Sequence, residues 1–230
     1  MTPADPFSFK RHSKLNPGRL WFTIKARLAE KLALRNFEKY HIPLRSHAVE
    51  MPAVPAYVTE DTAVTPPQMQ VLVQAVKETE HLDASRVEIG VYRGVTAAIL
   101  AAQTKRDYAA VDPYIGYGGA ESDFEKMRQR TGFLPHLRHL RMTSGGAASA
   151  SHVERASLVF IDAVHDYVNA SFDGHVWGRK LVRGGLLAFH DTDSPGFPGV
   201  QRAVWELLHQ SPAEYALHAH VDGLVVLQRL

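Results

Sequence analysis

The sequence predicts an α/β fold with a mostly parallel sheet, preceded by a helical extension. From residue 65 onward, short apolar runs alternate with segments of helical periodicity, a pattern typical of strands joined by crossover helices. Two further strands flank Asp222-Gly223, a dipeptide that favours a two-residue hairpin. Because a hairpin reverses the chain, we expect one antiparallel edge strand at the C-terminal end of the sheet.

Length and composition are those of one α/β domain with an extension. The chain has 230 residues, of which 45% are hydrophobic and 22% are charged. It contains no cysteine, which excludes disulfides, zinc–thiolate sites and cysteine nucleophiles. No apolar run approaches the ~18 residues that a membrane span needs. We therefore expect a cytoplasmic protein.

The predicted extension, residues 1–64, is strongly basic. Residues 1–46 hold ten Lys and Arg against Asp5, Glu30 and Glu38, a net charge of +7. Residues 18–40 predict an amphipathic helix, because apolar residues recur along one face. The residues of this apolar stripe are Leu20, Trp21, Ile24, Leu28, Leu32 and Phe37. Residues 41–64 are rich in proline and predict an extended linker.

Four roles are open for this basic helix. It can cover the substrate pocket of the domain, form the contact of a homo-oligomer, or contact an anionic membrane surface as a peripheral helix. It can also simply pack on the domain with its polar face in water. No base-stacking or groove-reading motif accompanies it, so we expect no nucleic-acid partner.

Residues 65–230 form the predicted α/β domain. Its first helix begins at Thr65-Pro66-Pro67, with Thr65 as the N-cap and proline at the first helical position. The predicted strands are 86–91, 108–112, 137–142, 157–162, 185–190, 215–220 and 224–228. The predicted helices are 66–81, 96–103, 122–130, 147–152, 168–181 and 199–209.

Glycine, acidic and histidine residues follow four of the predicted strands. They lie at Gly90–Gly94, Asp112, Asp162–His165 and His190–Asp193. Ligands of open α/β sheets bind beyond the carboxyl ends of the strands. We therefore expect these residues to form one site.

The first two groups suggest a nucleoside site. Gly90 and Gly94 allow a tight turn and a close backbone approach, and Thr96 adds a hydroxyl, although an ordinary tight turn has the same spacing. The G-x-x-x-G spacing differs from the G-x-G-x-x-G of dinucleotide folds and disfavours a nicotinamide-dependent oxidoreductase. Asp112 stands where an acidic residue can bind both ribose hydroxyls; the alternatives are an N-cap or a solvated strand end.

Five segments together resemble a known family. VEIGVYRGVTAAIL, YAAVDPY, SLVFIDAVHDY, LVRGGLLAFHDTD and GVQRAVWEL are similar, in this order, to class I S-adenosylmethionine methyltransferases. They look most like the branch of macrocin- and mycinamicin-type sugar O-methyltransferases and their cephalosporin-biosynthesis relatives. The resemblance covers about residues 65–230 and implies a Rossmann-like, seven-stranded sheet. It implies that the cofactor's methionine end is held by Glu88, Gly90, Gly94 and Thr96, its ribose by Asp112, and its adenine near Ser144.

The residues that follow the fourth and fifth predicted strands, Asp162–His165 and His190–Asp193, suggest a metal-assisted reaction. Asp162 and Asp191 end neighbouring strands, so their carboxylates can converge on a cation such as Mg²⁺; alternatively they cap the following segments. The resemblance implies a metal ligand at Asp162, a general base at His165, and an acidic pair where this chain has His190-Asp191. His190 can still ligate a metal, but its imidazole shifts the preference towards Mn²⁺ and later metals.

The predicted function is metal-assisted O-methylation of a small-molecule hydroxyl, on a sugar, a natural product or a glycan. A different-class alternative is a non-catalytic protein that binds the cofactor and interacts with a partner or membrane through its basic helix. The loop Tyr114–Ala120 is either a mobile lid, with Tyr114 and Tyr117 stacking on substrate, or an ordinary surface loop.

Overall fold

The computed structural model describes residues 5–7, 16–46, 50–116, 119–150 and 152–230. Seven strands form one sheet in the order β3-β2-β1-β4-β5-β7-β6. The strands are β1 (Ser85–Ile89), β2 (Tyr108–Val111), β3 (Leu137–Leu140), β4 (Ala156–Ile161), β5 (Leu181–Phe189), β6 (Tyr215–Val221) and β7 (Leu224–Arg229). The helices are α1 (Pro17–Arg35), α2 (Pro66–Glu78), α3 (Val95–Ala101), α4 (Glu121–Thr131), α5 (Ser144–Ser149), α6 (Tyr167–Gly178) and α7 (Pro198–Gln210).

The predicted α/β architecture is confirmed, with helices on both faces of the sheet. One apolar core lies between the sheet and α2, α3 and α4, and the other between the sheet and α5, α6 and α7. All six residues of β4 are buried, as expected for a central parallel strand whose two faces are both covered. Their continuous apolar run is the reason that the sequence indicates this strand so clearly.

The C-terminal hairpin supplies the one reversed strand. Asp222 and Gly223 both have positive φ (49° and 76°), the backbone of a tight two-residue hairpin. β7 pairs antiparallel with both β5 and β6. The reversed strand therefore lies one position in from the edge, and β6 forms the edge itself.

The start of α2 brings a polar side chain towards the middle of the sheet. Thr65 and Gln68 form a capping box: the Thr65 side chain accepts from the Gln68 amide, and Gln68 Oε1 accepts from the Thr65 amide at 2.8 Å. Pro66 occupies the first turn, as predicted. The cap fixes Gln68, which is buried, in one orientation beside β5.

The extension forms α1, which ends at Arg35 and is followed by a 3₁₀ turn at Phe37–Tyr40. Asn16 caps α1 through its side chain, and the helix packs on α6 and α7. Within α1 only Ala33 is buried. The predicted apolar stripe therefore faces solvent instead of the domain. In the part of the chain that the structure describes, no helix is both long and apolar enough to cross a membrane.

Candidate active site

The carboxyl ends of β1, β2, β4 and β5 open into a cavity of about 910 Å³. Eight residues that the sequence singles out line it: Glu88, Gly90, Thr96, Asp112, Ser144, Asp162, His165 and Asp191. Gly94 and His190 lie behind the lining, where they position it. The expectation that the polar strand ends form one site agrees with this geometry.

The turn after β1 can be made only with glycine. Gly90 has φ +85°, and a Cβ built there would lie 2.0 Å from the backbone oxygen of Asp162. Gly94 has φ +74° at the N-cap of α3, where a Cβ would meet the side chain of Met127. Gly90 thus lets the β1–α3 turn pass directly against the loop that follows β4, and Gly94 lets the start of α3 pack closely against α4.

Asp112 organises this turn from the end of β2. Its Oδ2 accepts from the amides of Val91 and Tyr92 at 2.9 and 3.1 Å, and its Oδ1 accepts from the Tyr114 amide at 2.7 Å. Burial raises the pKa of Asp112, while these amide hydrogen bonds lower it in part. Three of the roughly four acceptor sites of the carboxylate are thus used, and the remaining one, on Oδ1, can receive a ligand hydroxyl from the cavity.

Glu88 lies deeper in the cavity wall, within β1. Its carboxyl accepts a hydrogen bond from the Tyr108 hydroxyl at 2.6 Å. Burial raises the pKa of Glu88 to about 8, which the Tyr108 hydrogen bond only partly offsets. A positively charged ligand group nearby would favour its ionised form.

Ser144 begins α5 and is joined to a buried carboxylate. Its hydroxyl donates to Asp173 and accepts from Trp177 Nε1 at 2.7 Å. Asp173 lies on the inner side of α6, in the cavity wall, where burial raises its pKa to about 7.

Four side chains converge where β4 and β5 end. Asp162, His165, His190 and Asp191 each offer one ligand atom, and all four atoms lie within 4.8 Å of one another. His165 Nε2 lies 3.2 Å from Asp162 Oδ1 and 3.1 Å from Asp191 Oδ2. Burial raises the pKa of Asp162, but the hydrogen bond from His165 and the electrostatic attraction of His190 outweigh it and hold that pKa well below its usual range. Carboxylate and imidazole together suit a divalent metal ion.

A hydrogen bond from α2 orients the ring of His190. Gln68 Oε1 already accepts from the Thr65 amide, and His190 Nε2 lies 3.0 Å from the same oxygen, so Nε2 must carry the hydrogen. His190 Nδ1 then faces the cluster, 3.4 Å from Asp162 Oδ1 and 3.3 Å from Asp191 Oδ2. It is buried and has no aligned hydrogen-bond partner among the described residues. This is the orientation that a metal-binding histidine requires.

The two carboxylates also demand positive charge at this point. Burial lowers the pKa of His190, but interactions with Asp162 and Asp191 raise it to about 10. A proton on His190 or a bound cation can supply that charge, and the two compete for Nδ1. Asp191 adopts φ +58°, an uncommon backbone conformation for a residue other than glycine and one that aspartate tolerates. Asp193, a spare carboxylate in the sequence, is instead bonded to His220 at 3.0 Å.

His165 and His190 differ in their access to the cavity. The His165 side chain is 26% exposed, whereas that of His190 is 3% exposed. The ring of His165 also lies beside the partly exposed Phe197, with centroids 4.7 Å apart. A small molecule in the cavity can therefore reach His165 but not His190.

The structure adds site residues that sequence reasoning missed. Gln68 lies on a helix far from every motif, Phe197 follows the His190-Asp191 segment, and Asp5 and Phe7 of the extension line the cavity. The proposed stacking of Tyr114 on substrate is wrong. Tyr114 is buried, and its hydroxyl donates to the Tyr92 carbonyl at 2.8 Å. Tyr117, the other lid residue, lies outside the described residues.

We expect Gln68→Met to weaken Mn²⁺ binding roughly 10- to 100-fold, because the orienting hydrogen bond to His190 is lost. Calorimetric titration with Mn²⁺ measures this effect. Gln74→Met is the matched control, since Gln74 lies on the same helix and bonds only Glu78 among the described residues. Equal Mn²⁺ affinity in the two variants would show that Gln68 does not support a metal site.

The comparisons with known proteins agree with this geometry. Residues 87–192, which run from β1 to just beyond Asp191, match a family model described as a methyltransferase domain. No curated protein matches the chain in sequence. The matched segment contains the glycine turn, Asp112 and all four members of the cluster.

Three solved structures show the same fold. The O-methyltransferase NovP is 16% identical, with a TM-score of 0.61 over 90% of this chain and 98% of its own. Cofactor-bound Rv0187 from MTB is 16% identical, with a TM-score of 0.57 over 94% of this chain and 99% of its own. A Streptococcus mutans protein in complex with SAH is 13% identical, with a TM-score of 0.56 over 70% of this chain and 97% of its own.

Proposed function

We propose that the chain transfers the methyl group of S-adenosylmethionine to a hydroxyl oxygen with the help of a divalent metal ion. The match of residues 87–192 to a methyltransferase domain model supports this reading. One observation carries this proposal: a metal-type cluster and a nucleoside-type turn share one cavity. The turn accounts for a cofactor, and the cluster accounts for the activation of an acceptor.

In this proposal the cofactor lies across the ends of β1 and β2. One of its ribose hydroxyls donates to Asp112, and its methionine portion lies at the β1–α3 turn, near the buried carboxyl of Glu88. Ser144, beside Asp173, lies towards the adenine. The cofactor of Rv0187 and the SAH of the Streptococcus mutans protein support a ligand of this class in this fold.

Asp162, Asp191 and His190 would hold the metal ion. The fit rests on the donor set and on His190 Nδ1, which faces the two carboxylates without a hydrogen-bond partner of its own. A bound cation lowers the pKa of a nearby hydroxyl and orients it. The carboxylates suit Mg²⁺, and the imidazole shifts the preference towards Mn²⁺.

His165 would remove the proton from the acceptor. Its Nε2 faces Asp162 and Asp191, so these carboxylates fix the tautomer that leaves the lone pair on Nδ1. The acceptor oxygen gives its proton to His165 and attacks the methyl carbon. The carbon–sulfur bond would break as the carbon–oxygen bond forms, and its electron pair would remain on sulfur, which leaves as a neutral thioether. In-line placement of the oxygen and the methyl group is the main requirement.

The charge of the cavity favours an uncharged acceptor. Nine carboxyl side chains and no Lys or Arg line it among the described residues. Such a wall attracts the sulfonium of the cofactor and repels a phosphate or carboxylate on the acceptor. Phe197, beside His165, offers an apolar surface to a ring. A sugar or natural-product hydroxyl without an anionic group meets both conditions.

The test is calorimetric titration with S-adenosylmethionine, followed by a methyl-transfer assay over neutral glycosides and phenols. Each is run with Mg²⁺, with Mn²⁺ and with chelator. We expect micromolar cofactor binding and transfer that stops when the metal is removed or when Asp162 is replaced by Ala. Absence of cofactor binding under every condition would refute the proposal. Cofactor binding with no transfer over the whole panel would favour the non-catalytic alternative.

His165→Gln is expected to reduce the rate of methyl transfer about 100-fold or more, the usual contribution of a general base. Mn²⁺ and cofactor affinities should stay within a few-fold of wild type, because the proposed metal ligands remain. His175→Gln is the matched control, since His175 is exposed on α6 and bonds only the Ser171 carbonyl among the described residues. A large loss of Mn²⁺ affinity in His165→Gln would make His165 a metal ligand instead.

A further inference from the structure

The outward side of α1 is an apolar surface that the domain leaves uncovered. Five side chains of the predicted stripe are between 42% and 59% exposed: Leu20, Trp21, Ile24, Leu28 and Leu32. Their spacing places them on one side of the helix. Large apolar side chains grouped in this way on a surface indicate a binding site more often than chance exposure.

The orientation of α1 is fixed from its inner side. Ala33 is fully buried there, and the carboxylate of Glu30 accepts from the backbone amides of Tyr167 and Gly199, at the starts of α6 and α7. A side chain at Gly199 would collide with Glu30, so the close approach is part of the fold. The helix therefore cannot turn its apolar stripe inward without losing these contacts.

The charges around the stripe are all of one sign. Lys25, Arg27, Lys31 and Arg35 are exposed around it. Glu30 is the only acidic residue of α1, and it is turned towards the domain. We name the four basic residues and the five stripe residues together the α1 outer face.

We propose that the α1 outer face docks on the surface of an anionic lipid bilayer, parallel to the membrane plane. The apolar side chains enter the boundary between headgroups and acyl chains, and the basic side chains meet the lipid phosphates. Trp21 has the amphipathic ring that favours this depth. Each Lys or Arg near such a surface strengthens binding about fivefold.

Charge argues against a second copy of this chain as the partner of the α1 outer face. A symmetric dimer places the same surface of both copies together. Two α1 outer faces would bring eight basic side chains into one contact with no acidic side chain in either face, since Glu30 is turned towards the domain. An anionic bilayer neutralises the same charges.

The docking test uses the full chain without substrate, so its outcome does not depend on the methyl-transfer proposal. We would measure co-sedimentation and tryptophan fluorescence with vesicles of phosphatidylcholine alone and of phosphatidylcholine with one third phosphatidylglycerol. Trp21 is the exposed tryptophan, whereas Trp177 is fully buried and Trp205 is covered by stacking on His209. We expect binding to the anionic vesicles only, weakened by salt, with a blue shift that Trp21→Phe removes.

Two pairs of variants separate charge from apolar contact. The double variant Lys25→Gln, Lys31→Gln should lower vesicle affinity about 30-fold. The control double variant Lys77→Gln, Lys105→Gln should leave vesicle affinity unchanged, because both lysines are exposed outside α1. Leu28→Ala should weaken binding, whereas Phe133→Ala, which is 72% exposed on another surface, should not. The proposal fails if anionic vesicles bind no better than neutral ones. It also fails if Leu28→Ala abolishes a concentration-dependent dimer and leaves vesicle binding unchanged, or if duplex nucleic acid binds and vesicles do not.

Discussion

Asp112→Ala is expected to bind S-adenosylmethionine about 100-fold or more weakly than the wild-type protein. The carboxylate of Asp112 lines the cavity and can accept a hydrogen bond from a ribose hydroxyl, a contact to a charged group that contributes about 1.5–3 kcal/mol. The variant also loses the amide hydrogen bonds that shape the turn against which the cofactor would lie. Calorimetric titration of both proteins gives the ratio directly. An unchanged affinity would remove Asp112 from the cofactor site.

The same substitution also removes three hydrogen bonds that shape the glycine turn, so a second ligand must separate the two effects. S-Adenosylhomocysteine and its 2′-deoxy analogue differ only in one ribose hydroxyl. We expect the wild-type protein to prefer the hydroxyl form and Asp112→Ala to bind both equally weakly. If the variant keeps the full preference, Asp112 acts by supporting the turn and does not contact the ribose.

The part of the site that the sequence predicts follows from the direction of the strands. Parallel strands end at the same edge of the sheet, so residues that are distant in the chain, such as Gly90, Asp112, Asp162 and Asp191, are brought to one cavity by the fold alone. Burial of both faces of the central strands gives the apolar runs that mark their positions. Element order and strand ends can therefore be predicted without knowledge of any contact.

The remaining features depend on packing between segments that no local pattern connects. Gln68 reaches His190 only because the start of α2 lies beside the β6–β7 turn, where Gln68 also donates to the Asp222 carbonyl. The sequence predicts the helix start at Thr65 but assigns Gln68 no role. The spacing of α1 predicts an apolar face, but it cannot say that Ala33 and Glu30 form the contact with the domain. Asp173 is a similar case. The sequence shows it only as a polar residue on a predicted helix, whereas the fold buries it in contact with Ser144.

Gly90→Ala is expected to destabilise the protein strongly and to disrupt both parts of the candidate site. A Cβ at Gly90 would meet the Asp162 carbonyl oxygen at 2.0 Å, so the ends of β1 and β4 must separate, and φ +85° is itself unfavourable for alanine. Separation of these ends would displace both the β1–α3 turn and the cluster of Asp162, His165, His190 and Asp191. We expect a thermal midpoint many degrees below that of wild type, and no detectable binding of cofactor or Mn²⁺ by the variant that remains folded.

Gly184→Ala distinguishes collision from backbone conformation. Gly184 has a nearly identical φ of +81°, but a Cβ there would meet no atom within 4 Å. Its substitution should therefore cost only about 1 kcal/mol, the difference between glycine and alanine in this conformation, and should leave both ligands bound. Equal destabilisation by the two substitutions would mean that φ alone requires glycine at Gly90. A much larger loss at Gly90 would show that the close approach of β1 to the Asp162 loop holds the two halves of the site together.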